Sequence, residues 1–146
     1  MISDKFFIET AKLLAEESKC ISLQVGAVIT KDDRIISIGY NGTVSGTINC
    51  NEALELNCYE KENHSDWSTA HEIHAEMNAI MFAAKYGISV KDATLYCTHE
   101  PCDNCLKNII QAGIKRIVYL HPYKKENCQS VYRYYDSIIE IEQYEE

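Results

Sequence analysis

The chain has 146 residues, 46% hydrophobic and 25% charged, which is ordinary for one globular domain (1–146) able to bury a core. A formal net charge of -8 argues against a broad grip on nucleic acid, which wants a basic face, yet leaves room for a small anion held by a few local donors. No apolar run approaches the roughly 20 residues that span a bilayer and no signal peptide is visible, so the seven cysteines are expected as metal-binding thiols in a reducing cytoplasm.

In chain order, Phe6, Phe7, Ala11, Leu13, Leu14 and Ala15 recur at helical spacing, predicting a helix from Asp4 to about Lys19 capped by Ser3 or Asp4. Val25 to Thr30 and Arg34 to Tyr40 read as two strands joined by the polar turn Lys31-Asp32-Asp33. The second strand ends in Gly39-Tyr40-Asn41-Gly42, where glycines permit a tight bend and close approach of a ligand; Asn41 alone reads as a turn residue. Thr43 to Thr69 is expected to be an irregular loop, long for a compact domain, carrying Cys50, Cys58 and His64, with His71 and Glu72 just beyond. Either a structural metal pins it or its thiols are scattered over a surface loop.

A helix is predicted from Thr69 or Ala70 to Tyr86, with Ile73, Met77, Ile80, Met81 and Ala84 apolar and Gly87 as its C-terminal stop. Ala93 to Thr98 reads as a buried strand. Pro101 suits the first position of the next helix, which closes at Gly113. The strand Lys115 to Leu120 follows, then His121-Pro122-Tyr123, a polar tyrosine-rich segment, and a last strand or edge element over Ser137 to Glu142, with Glu145-Glu146 frayed.

Two stretches carry chemistry: His74-Ala75-Glu76, which reads H-x-E, and Pro101-Cys102-Asp103-Asn104-Cys105, which reads P-C-x-x-C. Alone, the first is two polar helix positions, and the second is a redox pair or half of a structural zinc site. Together they offer one imidazole and two thiolates, which leaves a fourth tetrahedral position for water. Zinc lowers the pKa of such a water from about 15.7 toward roughly 7 and yields a hydroxide nucleophile. Glu76, close to the metal but not needed as a ligand, is placed to move its proton. Cys102 and Cys105 fall one turn apart at a helix start, where the dipole favours both thiolates.

This pattern resembles the zinc-dependent cytidine deaminase superfamily, and within it the deoxycytidylate (dCMP) deaminases of phage type. The likeness runs from about Cys20 to Tyr123 and rests on the Val-Gly-Ala-Val run at Val25, Gly39-Tyr40-Asn41-Gly42, His74-Ala75-Glu76, Thr94-Leu95-Tyr96 and the run from Glu100 to Cys105. It implies an α/β fold, a mixed central sheet of about five strands flanked by helices in three layers, and a homo-oligomer, commonly a hexamer. It implies conversion of dCMP to dUMP and ammonia, supplying dUMP for thymidylate synthesis. His74, Cys102 and Cys105 take the zinc-ligand role and Glu76 the proton-transfer role. Asn41 becomes a sugar contact, with Ala75 beside the substrate.

Phage-type members can carry a second, structural zinc; by position its ligands here are Cys20, Cys50, His64 and Glu72, with His71 as the substitute for Glu72. dCTP and dTTP effectors, with Mg2+, are implied near Gly42, Ser45 and Gly46. Two departures stand out: Val44 replaces the proline that usually continues the glycine loop, and Gln24 replaces a basic residue common before the Val-Gly-Ala strand. Ser22, Gln24 and Tyr123 are therefore the candidates for the 5′-phosphate contact. The rival readings are a free cytidine or deoxycytidine deaminase, a tRNA adenosine deaminase, or a non-enzymatic zinc protein. The acidic balance weighs against tRNA, and the spare Glu76 against a purely structural zinc.

Overall fold

The computed structural model describes residues 1–123 and 134–146. Helix α1, Asp4–Ala15, begins where the Ser3 hydroxyl accepts the Phe6 N–H, the expected cap. It stops short of Lys19 because the chain turns at Glu16 and Glu17 to bury Ser18, whose hydroxyl donates to the Asn41 carbonyl at 2.8 Å. Strands β1, Gly26–Lys31, and β2, Arg34–Tyr40, form a hairpin whose two turn residues, Asp32 and Asp33, both adopt positive φ. That turn matches the right-handed twist of the strands.

A five-stranded sheet runs β2-β1-β5-β6-β7, with β5 Thr94–His99, β6 Arg116–His121 and β7 Glu140–Gln143. The pairs β2/β1 and β1/β5 are antiparallel; β5/β6 and β6/β7 are parallel. Alternation along the strands makes two cores. Val28, Tyr96, Val118 and Leu120 meet Phe7, Ile8 and Ala11 of α1 on one face. Ala27, Ile29, Leu95, Cys97 and Ile117 face the other side, covered by α4, Ala75–Lys85, and α5, Asp103–Gln111. The result is the expected three-layer mixed α/β fold.

Glycines let the helices seat close to the sheet. A Cβ at Gly26 would lie 2.0 Å from the Ala11 carbonyl oxygen of α1, and one at Gly39 would lie 2.4 Å from the Ala75 carbonyl oxygen of α4.

Residues 43–69 depart from expectation. They hold α2, Cys50–Glu55, a 3-10 turn at Lys61–Asn63, and α3, His64–His71. Only Cys50, Ala53 and Tyr59 are buried there, so the helices lack the apolar stripe by which a sequence announces them. Aromatic stacking steadies α3 instead: Tyr59 on Trp67 at 4.6 Å and Trp67 on His71 at 4.5 Å.

The helix expected from Thr69 to Tyr86 is also broken. Glu72–Ile73 is extended as β4 and pairs with β3, Gly42–Thr43, before α4 begins. Asn78 on α4 donates to the Tyr40 carbonyl at 2.7 Å and ties the new helix to the end of β2. Pro101 lies before the N-cap of α5 and not in its first turn; Cys102 is the cap. The last strand runs Glu140–Gln143, later than Ser137 to Glu142. The polar tyrosine-rich segment after Tyr123 falls chiefly on residues 124–133, outside the described residues. No helix among the described residues is long and apolar enough to cross a membrane.

Candidate active site and metal centres

The parallel strands and the helices after them deliver the first donor set. β5 leads through Pro101 into α5, so Cys102 sits at the N-cap, where its Sγ accepts the Cys105 N–H at 3.4 Å. Cys105 follows within the first turn. His74 occupies the N-cap position of α4, extended at φ -63 and ψ 152. Its Nδ1 lies 3.1 Å from Cys105 Sγ and 3.6 Å from Cys102 Sγ, and the three donor atoms lie within 4.8 Å of one another.

Hydrogen bonding to Cys105 and His74 lowers the Cys102 thiol to about 3, while the bond to Cys102 and burial push Cys105 well up. The two thiols, without a metal, are thus pushed in opposite directions. A divalent cation among these donors would favour loss of the second proton. Cys102 also raises the His74 imidazole above its ordinary value, against the effect of burial.

Glu76 lies in the first turn of α4, buried to 4% exposure. Burial raises its carboxyl, and its Oε2 has no hydrogen-bond partner among the described residues. A buried polar atom left this way costs about 1–3 kcal/mol, so a ligand that engages it offsets a real penalty. Below it lies Cys97, fully buried, its thiol pushed well up by burial and then by the Glu76 charge.

A second donor set stands beside the first. Cys20, Cys50, His64 and Glu72 bring their ligand atoms within 4.8 Å of one another. Glu72 Oε1 is 3.3 Å from His64 Nε2 and 3.4 Å from Cys20 Sγ; Cys50 Sγ is 3.3 Å from the same imidazole nitrogen. Burial raises the Cys20 thiol to about 11. The Tyr59 hydroxyl backs Cys50 at 3.1 Å, and burial moves that phenol upward. The substitute His71 is not part of this cluster: its Nδ1 meets the Trp67 carbonyl at 2.8 Å and its ring stacks on Trp67. Cys58 is exposed and lies outside it. Thiol and imidazole donors suit zinc at both places.

Both sets open on one cavity of about 400 Å³, together with Ser22, Asn41, Ala75, Glu76 and Tyr123. Asn41 is held at its rim by both ends of its amide: Oδ1 accepts from Val25 N at 2.8 Å and Nδ2 donates to Leu23 O at 2.7 Å. Gln24 is not part of the wall. Its Nε2 is turned back onto the Ser18 carbonyl at 2.7 Å. Gly42 lines a smaller cavity of about 150 Å³ with Asn49, Cys50 and Glu72, whereas Ser45 and Gly46 are exposed and line neither cavity. Sequence reading missed His99, Glu100, Ser65, Ser68 and Thr69, all of which line the large cavity. Strand parity carried the one available signal: buried Thr98 ends the buried run and turns its successor to the other side.

A family described as the cytidine and deoxycytidylate deaminase zinc-binding region matches residues 1–121. The deoxycytidylate deaminase of Enterobacteria phage T4 is 40% identical over 149 residues, covering 81% of this chain and 77% of that one. The human deoxycytidylate deaminase is 37% identical over 117 residues, covering 80% of this chain and 63% of its own length. The crystal structure of the dCMP deaminase of cyanophage S-TIM5, in complex with dCMP and dUMP, superposes with a TM-score of 0.80 at 32% identity, covering 96% of this chain and 95% of that one.

Proposed function

Because the chain belongs to the cytidine and deoxycytidylate deaminase zinc-binding family, we propose that it hydrolyses dCMP to dUMP and ammonia. One observation carries this reading. Glu76, buried and with an unpartnered oxygen, stands beside a His–Cys–Cys donor set in a cavity of nucleotide size. The similar cyanophage enzyme was solved with dCMP and dUMP.

His74, Cys102 and Cys105 would hold a zinc ion and leave one position open. Zinc bound there supplies a water acidified to near neutrality. Glu76 does the proton work: it takes one proton from the attacking water and gives it to ring N3, then takes the remaining proton of the new C4 hydroxyl and gives it to the departing amine. A C4–O bond forms, the C4–N bond breaks, and nitrogen leaves as ammonia. Asn41 keeps one amide hydrogen beyond its bond to Leu23, available to a sugar hydroxyl, while Ala75, Ser22 and Tyr123 form the wall.

Cys20, Cys50, His64 and Glu72 would hold a second zinc with four protein donors, which leaves no open position and makes its role structural. Held there, it would fasten residues 43–69 to the core. Gly42 of the small cavity, with the exposed Ser45 and Gly46 after it, would be the place for a dCTP or dTTP effector with Mg2+. We further read the chain as one cytoplasmic domain that assembles as a homo-oligomer, a hexamer by family habit.

Ammonia release from dCMP, cytidine and a tRNA anticodon stem-loop, assayed side by side on zinc-loaded protein, tests the reading. dCMP turnover in clear excess is expected. Preferred turnover of cytidine or of the stem-loop would overturn it, and activity on none would leave a non-enzymatic zinc protein.

A further inference from the structure

The substrate reading creates a charge problem. A nucleoside monophosphate brings up to two negative charges into a chain of net charge -8, and no Lys or Arg among the described residues lines the large cavity. Gln24 is tied to Ser18. His64 and His74 belong to the donor sets. Among the described residues, one further residue of the wall can carry positive charge, His99.

His99 is the last residue of β5 and lies opposite His121, the last residue of parallel β6. Their ring centroids are 5.1 Å apart at 49°, two imidazoles side by side at the carboxyl edge of adjacent parallel strands. Ligands of open α/β sheets gather at that edge. The ring of His99 is anchored from behind. Gly26 N–H donates to Thr98 Oγ1 at 3.1 Å, and the same hydroxyl lies 2.9 Å from His99 Nδ1, so Nε2 is the ring nitrogen left for a ligand. That nitrogen has no hydrogen-bond partner among the described residues. Glu100, the neighbouring acid, directs Oε1 to the Tyr123 N–H at 2.9 Å.

We propose that His99, backed by His121, binds the 5′-phosphate of the nucleotide and sets the preference for nucleotide over nucleoside. The proposal rests on the dCMP reading and goes beyond it by naming the group that recognises the phosphate. Burial, with the His121 charge adding to it, holds the His99 imidazole below its ordinary value. A phosphate beside the pair counters both effects and draws a proton onto the ring.

The test compares kcat/KM for dCMP and for deoxycytidine in parent, His99→Gln and His121→Ala, with zinc content measured on each. Losing a hydrogen bond to a charged group should lower the dCMP-to-deoxycytidine ratio roughly 10- to 100-fold in His99→Gln. His121 is at the surface, so His121→Ala is safe for folding and should lower the same ratio by a smaller factor. Inorganic phosphate should inhibit deoxycytidine turnover by the parent and lose that effect in His99→Gln. An unchanged ratio in both variants, or an equal fall on both substrates, would overturn the proposal while leaving dCMP deamination standing. A parent that does not turn over dCMP would end both.

Discussion

The two donor clusters share their chemistry and differ in what each leaves over. Around His64, two thiols and the Glu72 carboxylate converge with no further protein donor needed. Around His74, two thiols converge alone, and the carboxylate of Glu76 stays outside the ligand set; Glu72 and Glu76 each keep one oxygen unpartnered among the described residues. The chain passes from one to the other in two steps, because Glu72 and His74 flank Ile73 in and after β4. Four donors would close a metal off from water, whereas three with a spare carboxylate would leave room for chemistry.

Four measurements would break or sharpen this contrast, beginning with the largest effect. Glu76→Gln keeps the shape of the buried side chain and removes its proton transfer, so kcat should fall at least about 100-fold with zinc retained. Ammonia release beside elemental analysis reads both, and near-parent turnover would remove Glu76 from its role. Cys50→Ser should do the reverse at the other cluster. Zinc should drop from about two to about one per chain, residues 43–69 should become protease-sensitive, and stability should fall by on the order of 4 kcal/mol. A parent that binds one zinc, all of it lost in His74→Ala, would erase the second centre.

Asn41→Ala tests the rim between the clusters. It releases Val25 N–H and the Leu23 carbonyl as well as any sugar contact, so kcat/KM for dCMP should fall roughly 10-fold without loss of either zinc. A parent-like value would reduce Asn41 to a turn residue.

The smallest effect lies away from both clusters and serves as the control. Asp4 bonds Arg116 at 2.8 Å, and Arg116 also pairs with Glu142. The guanidinium holds the Asp4 carboxyl below its ordinary value of 3.8. Because the folded value is the lower one, this stabilisation is complete above pH 3.8 and disappears as pH falls through the folded value. Both side chains are partly exposed, so Asp4→Asn should cost less than about 1 kcal/mol at neutral pH. Urea unfolding of parent and variant should converge in acid, with zinc content equal throughout.

How far the sequence disclosed this arrangement depended on what stabilises each part. The β1–β2 hairpin, the buried strand β5 and the paired core faces were readable because apolar alternation encodes them directly. The triad of His74, Cys102 and Cys105 was readable because its spacing follows from two helix starts. Helices α2 and α3 were not, since polar donors and an aromatic stack hold them where an apolar stripe was sought. The break at Glu72 escaped for a related reason: Ile73 fits a helical period, yet Glu72 and His74 must serve separate clusters, and an extended pair of residues lets them do so. His99 carried only the parity of its strand as a signal, and its place opposite His121 drew it out.

Gly39 touches neither cluster, yet it governs both the height and the tolerance of the catalytic half-site. The van der Waals gap between β2 and α4 is closed by a missing methyl group, with Ala75 and Ala79 resting where it would stand. His74 and Glu76 flank Ala75, whereas Cys102 and Cys105 ride on another helix. Any side chain at position 39 therefore acts as a shim, lifting one half of the site against the other. Mutational freedom here is smallest in the backing of the half-site, and an engineer who redesigns the pocket for another base would do well to leave that one residue alone.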